Sequence, residues 1–218
     1  MRFFIALLFV IASFSSGFGQ TKFMFVFLNT NPSKEELPEE KVKSLQASHL
    51  ANIKKLAEEG KLLVAGPFDS GGGIFIMNTS SVEEAREWIN TDPAIKANRY
   101  KIEILPWTPR RGSACLAKAD AEFQTYTFIR FNSYITKFNV RDAPELFRQH
   151  DVYLQEIEKT GNVISEGVFD NSDGTTLIME GEVAKAVIMN DPSVKNGIII
   201  PEIKKIWVAK GSFCENSN

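Results

Sequence analysis

The chain repeats itself at a spacing of about 100 residues, and this repeat limits its fold more tightly than composition does. Aligned on the two histidines, His49 and His150, each half places a glycine eleven residues later (Gly60, Gly161) and another six residues beyond it (Gly66, Gly167). Then follow Gly66-Pro67-Phe68-Asp69 against Gly167-Val168-Phe169-Asp170, a glycine-bearing turn, an apolar strand and a second helix. Asp92-Pro93 is matched by Asp191-Pro192, and each half closes on a β-rich segment carrying Trp107 or Trp207. The gaps fall in turns. Solenoid units recur at roughly 20–50 residues, so a period this long marks a duplicated domain.

One half reads as β-α-β-β-α-β. Phe23 to Leu28 is an apolar, aromatic run of strand length. Ser33 with Glu36 predicts a capped helix start, with Pro38 near it and Gly60 closing the helix after about Glu59. Val42, Leu45, Ile53 and Leu56 recur along that helix at helical spacing. Strands are expected over Lys61 to Ala65, Ile74 to Met77 and Tyr100 to Trp107, with a short helix capped by Ser81 and Glu84 and stopped by Asp92-Pro93. The second half repeats the order, from a strand over Tyr126 to Phe131 through a helix capped by Asp142 with Glu145. Its shorter helix, Val183 to Asn190, has no matching cap.

The fold class is therefore α+β: two tandem ferredoxin-like domains, 20–108 and 122–210, with a linker at 109–121 and a tail at 211–218. Each has helices on one sheet face only, so its other face needs cover. Pairing those faces gives an intrachain pseudo-dimer, a pseudo-dimeric α+β barrel.

The N-terminus carries Arg2, the apolar run Phe3 to Phe14, and Gly17 and Gly19, the three regions of a secretory signal peptide with cleavage after Gly19. The run is shorter than the roughly 18–20 residues of a membrane span, so no membrane association is expected after cleavage. A secreted or periplasmic location permits Cys115 and Cys214, set in the repeated contexts Gly-Ser-Ala-Cys and Gly-Ser-Phe-Cys, to form a disulfide. Closing that loop stabilises by up to about 4.7 kcal/mol in chain-entropy terms. Neither cysteine lies in a metal-binding pattern. With 25 basic and 27 acidic residues, nothing in the charge favours nucleic acid.

His49 lies four residues after Leu45 and four before Ile53, at the centre of the apolar stripe, and His150 is framed likewise by Leu146 and Leu154. Each half also keeps an aspartate, Asp92 or Asp191, where its second helix ends. A carboxylate beside an imidazole fixes its tautomer and equips it to move protons near neutral pH. The alternative is a core histidine that only satisfies buried hydrogen bonds, beside an Asp-Pro that only ends a helix. Asp69 and Asp170, just after the Gly-x-Phe turn, are secondary candidates. Gly71-Gly72-Gly73 lacks the Lys-Ser or Lys-Thr of a phosphate loop, and no Gly-x-Ser-x-Gly elbow is present.

The histidine-leucine helix, the EEGKLLVAGPF turn, the glycine-rich hairpin and the TDPAIKANRY segment running to Pro-Trp resemble the YCII-related family. The resemblance covers about residues 21 to 108 well and 122 to 210 less well, Val168 standing where the first half has Pro67. It implies a dimeric α+β barrel and a histidine-aspartate site, mapping onto His49 with Asp92 and His150 with Asp191. It further implies proton-transfer or elimination chemistry, of lyase or isomerase type, on a small organic molecule with no metal or organic cofactor. A non-catalytic ligand-binding or structural module is the competing reading.

Overall fold

The computed structural model of the protein describes residues 22–136, 139–170 and 174–215; the leader read at 1–19 lies outside the described residues. The first half comprises β1 (Phe23–Thr30), α1 (Glu39–Glu58), β2 (Leu62–Pro67), β3 (Gly73–Met77), α2 (Val82–Ile89), α3 (Pro93–Lys96) and β4 (Tyr100–Arg111). After β5 (Ser113–Ala114), the order recurs as β6 (Phe123–Ser133), α4 (Ala143–Glu158), β7 (Val163–Phe169), β8 (Thr175–Glu180), α5 (Lys185–Met189), α6 (Pro192–Lys195) and β9 (Ile199–Ala209). β10 (Phe213–Cys214) ends the series. Among the described residues no helix is long and apolar enough to cross a membrane.

Several helix starts depart from the sequence reading. Ser33 does not cap α1; its amide donates to Asn31 Oδ1 in a turn, and Pro38 is the residue before the helix. Asp142 precedes α4 but its backbone is already helical (φ -93°, ψ -11°), and its side chain makes no capping bond. An N-cap side chain reaches the helix amides from an extended backbone, the geometry Ser81 has before α2, where its hydroxyl accepts from the Glu84 amide at 3.2 Å. Asp92 does more than stop α2. Extended itself, it caps the separate turn α3, which Pro93 opens.

The larger sheet has eight strands in the order β2-β3-β1-β4-β7-β8-β6-β9, each neighbouring pair antiparallel. Its halves join where β4 lies against β7, with Trp107 opposite Phe169 and Thr108 opposite Val168. Residues 109–111, expected to open the linker, are thus the end of β4. The sheet's outer strands also meet, through a bridge between Phe68 and Ile206. Gly66 permits this, because a Cβ there would lie 2.3 Å from Val208 Cγ1 and 2.8 Å from the Trp207 carbonyl oxygen.

Strand alternation sends β1 into two cores. Met24, Val26 and Leu28 pack with Leu56, Ala85 and Ile89 of α1 and α2. Phe23, Phe25 and Phe27 turn the other way, into a core shared with Phe128, Phe169, Ile178 and Ile206 of the second half. There Phe25 meets Phe169 edge-on at 5.5 Å, and the buried Trp107 indole N–H donates to Thr176 Oγ1 at 2.9 Å. The second half keeps its own outer core between its sheet and α4, α5 and α6, including Phe131, Leu154, Leu177 and Ile188.

The register corrects one pairing of the repeat. Trp107 stands opposite Phe23 and Ile206 opposite Tyr126, so the counterpart of Trp107 is Ile206 and not Trp207. Trp107 is fully buried, whereas Trp207 is half-exposed. Beyond the sheet, β5 and β10 form a two-stranded ladder beside the Cys115–Cys214 disulfide, whose Cα atoms are 6.0 Å apart.

Candidate active site

Of the α1 side chains only His49 and Leu56 are buried, so the helix meets the sheet through a narrow stripe with an imidazole in it. Asp92 waits on the far side, fully buried at the break between α2 and α3. Its Oδ1 accepts from the amides of Ala94 at 2.8 Å and Ile95 at 3.3 Å. That leaves Oδ2 for His49 Nδ1, at 2.8 Å, with the Asn52 side-chain amide more distant at 3.4 Å. A carboxylate only accepts, so Nδ1 carries the proton and the lone pair falls to Nε2. The ring lies between Phe75, nearly parallel to it, and Tyr100, each centroid 6.1 Å away.

His49 opens onto a cavity of about 340 Å³. Gln46, His49 and Tyr100 give it polar groups; Leu50, Ile53, Phe75 and the β2–β3 turn give it apolar walls. The far wall is Phe123 and Trp207, contributed by the second half where β9 meets β2, with ring centroids 4.4 Å apart. Burial, and secondly the Asp92 carboxylate, push Tyr100 above the ordinary tyrosine range, which keeps its hydroxyl a donor.

The second half builds the same pair and then closes it. His150 Nδ1 meets Asp191 Oδ2 at 2.5 Å, and Asp191 Oδ1 accepts from the Ser193 amide at 2.7 Å. His150 Nε2, however, lies 3.1 Å from Thr175 Oγ1. Thr175 stands opposite Phe131 as Gly73 stands opposite Leu28, so a hydroxyl occupies the place where the first half has no side chain. The adjoining space, about 280 Å³, is crossed by an ion cluster. Arg110, reaching over from β4, pairs with the buried Glu166 and with Asp151 at 3.0 Å. Burial works against the Arg110 charge, but bonding to Glu166 and Asp151 more than offsets it and holds the guanidinium above its usual range. Ala65 and Leu50 hold the places of Glu166 and Asp151 in the first half.

Asp69 and Asp170 join neither site. Asp69 is exposed, its amide tied to the Lys205 carbonyl at 3.1 Å, and Asp170 pairs with Lys22 at 3.0 Å. Phe123, Trp207, Thr175 and Arg110 were not marked by the sequence, because each acts across a junction or through a register that the repeat alone does not display. One spacing does carry a trace of it: Asp92 precedes Trp107 by fifteen residues, whereas Asp191 precedes Trp207 by sixteen. Among the described residues no cluster of three or more His, Cys, Asp or Glu is gathered in metal-binding fashion.

The YCII-related domain pattern matches residues 23–108, which contain His49, Asp92 and Tyr100. Protein YciI of Escherichia coli O6:H1 is 36% identical over 80 residues, an alignment covering 31% of this chain and 82% of that protein. The chain belongs to the YCII-related family. Protein YjpA of Bacillus subtilis is 29% identical over 85 residues, covering 38% of this chain and 95% of YjpA. Among solved structures, a proposed monooxygenase from Lactobacillus acidophilus NCFM superposes with a TM-score of 0.46 at 13% identity, over 91% of this chain and 100% of that one. The matched YCII-related domain contains the histidine that lines the cavity of about 340 Å³.

The ion cluster yields a direct prediction. Arg110→Met leaves Glu166 buried without its cation and lowers the unfolding free energy by about 3 kcal/mol, while adding Glu166→Ala recovers most of the loss. Urea denaturation of the two variants measures both effects; full stability in the single variant contradicts the assignment.

Proposed function

We propose that the chain is an exported small-molecule enzyme in which His49 and Asp92 move a proton in the first half's cavity. Its halves, 20–108 and 122–210, are tandem YCII-type ferredoxin-like domains paired as a pseudo-dimeric α+β barrel. One observation carries the catalytic reading: His49 Nδ1 is held by Asp92 while His49 lines an open cavity, with no partner for its Nε2 among the described residues.

In the reaction this geometry supports, Nε2 takes a proton from carbon beside a carbonyl, and the electron pair moves to the carbonyl oxygen as an enolate. Nδ1–H stays with Asp92, whose charge stabilises the imidazolium, and Tyr100 donates its hydroxyl to the enolate oxygen. Return of the proton at a second atom completes an isomerisation; departure of a leaving group completes an elimination. Positioned general acid–base chemistry of this kind contributes about 10²–10⁴-fold.

A non-catalytic role suits the second half. His150 has a partner at each ring nitrogen, which supports packing and excludes service as a base without rearrangement. Partners other than a small molecule have no observation behind them. Export is supported by the leader pattern and by the disulfide, which suits an oxidising compartment.

Two measurements test these readings. In D₂O, with a panel of small cyclic ketones, enones and lactones, the wild-type chain accelerates exchange at the carbon next to the carbonyl. H49Q loses about 10²-fold or more of that acceleration, and H150Q keeps it. Equal rates in H49Q and wild type, or background rates in wild type across the panel, reject the proton-transfer assignment. Mass spectrometry of the exported chain, expected to begin at Gln20, tests the leader; a mature chain still carrying Met1 contradicts it.

A further inference from the structure

We infer that the second half's contribution to catalysis is a wall: Trp207 and Phe123 form an aromatic clamp over the His49 cavity, selecting a flat, uncharged ring compound. The inference rests on the cavity being a ligand site, as proposed above. It adds the class of ligand and the residues that choose it.

Three observations meet here. Trp207 and Phe123 are each 50% exposed, yet their rings pack together at 4.4 Å with 31° between planes, on the rim of the cavity. Large aromatics left half in water beside a preformed apolar space offer a ligand the area that the fold has not covered. The cavity opposite them is lined by Phe75, Tyr100, Leu50 and Ile53 and, among the described residues, by no Lys, Arg, Asp or Glu. A phosphate or carboxylate finds no counter-charge among those residues, and a flat ring finds an aromatic wall on one side and largely apolar side chains on the other. The clamp is also specific to one junction. In register, Thr108 is the first half's counterpart of Trp207, and the space beside His150 receives Arg110 with its two acids. Gly66 brings the strand carrying Trp207 close enough to form the wall, since even a methyl group there would collide with the Trp207 carbonyl.

Coumarin, a flat neutral lactone, serves as the probe, and coumarin-3-carboxylate as its charged counterpart. Titration of the full mature chain is followed by the indole N–H signals of Trp88, Trp107 and Trp207. The expected result is a shift at Trp207 with Trp107 unmoved, binding at least about tenfold weaker for coumarin-3-carboxylate, and at least about tenfold weaker coumarin binding in W207T and in F123L. Both positions are half-exposed, so the fold survives at least one of these changes, and circular dichroism identifies the variant that carries the test. H150Q binds coumarin within about twofold of wild type, because His150 does not line this cavity. Loss of exchange activity in H49Q addresses proton transfer, and loss of affinity in W207T, with exchange on small unclamped ketones retained, addresses the clamp. Absence of a Trp207 shift, undiminished binding in the folded variants, or equal binding of the carboxylate overturns the inference.

Discussion

Each half of the chain has a four-stranded sheet with helices on one side, and the aromatic face on its other side has nowhere to go but against the other half. Phe25 and Phe27 from one half and Phe128 and Phe169 from the other fill that space, with ring centroids between 5.5 and 6.2 Å across the halves. Full burial of one such side chain contributes about 1.5–3 kcal/mol, so this shared core outweighs any single strand bridge at the edges. The edges follow from it. β4 comes to lie along β7, β9 comes to rest against β2, and each junction delivers side chains of one half into the space beside the other half's histidine.

Those deliveries make two similar histidines different. Both are oriented by a buried aspartate whose other oxygen is held by backbone amides of the next turn, an arrangement that fixes the ring in one tautomer. What separates them is the second nitrogen. Gly73 has no side chain to offer His49, and the junction opposite supplies only apolar rings; Thr175 binds His150, and the junction opposite supplies an arginine already committed to two carboxylates. The two halves therefore offer their histidines different surroundings, and the family pattern matches residues 23–108, the half that holds His49.

Much of this was legible in the residues. The spacing of His, Gly and Asp-Pro pointed to a recurring order of elements, and strand alternation with helical spacing displayed that order in each half. The pairing of each histidine with its aspartate was implied by the family resemblance and stood beside the reading of a core histidine; the 2.8 Å contact itself required the tertiary fold. Local chemistry misled at Ser33, which lies in a turn ahead of a helix that starts after Pro38, at Asp142, whose backbone is already helical, and at Pro109, where proline and arginines suggested a loop but the strand continues along β7. Trp107 and Trp207 were paired because each stands in the β-rich segment that closes its half, and the one-residue offset that sends the first into the core and the second to the cavity wall is invisible without register. The difference between the sites lay in small exchanges, Gly73 against Thr175 and Ala65 against Glu166, whose meaning depends on neighbours from another part of the chain.

The claim that one histidine keeps a free lone pair and the other does not is tested most directly by the rates at which diethyl pyrocarbonate acylates them, read by mass spectrometry of the folded chain. The account predicts that His49 reacts at least about tenfold faster than His150, and that Thr175→Ala raises the His150 rate by freeing its Nε2. Equal rates, or a His150 rate indifferent to Thr175, would contradict it.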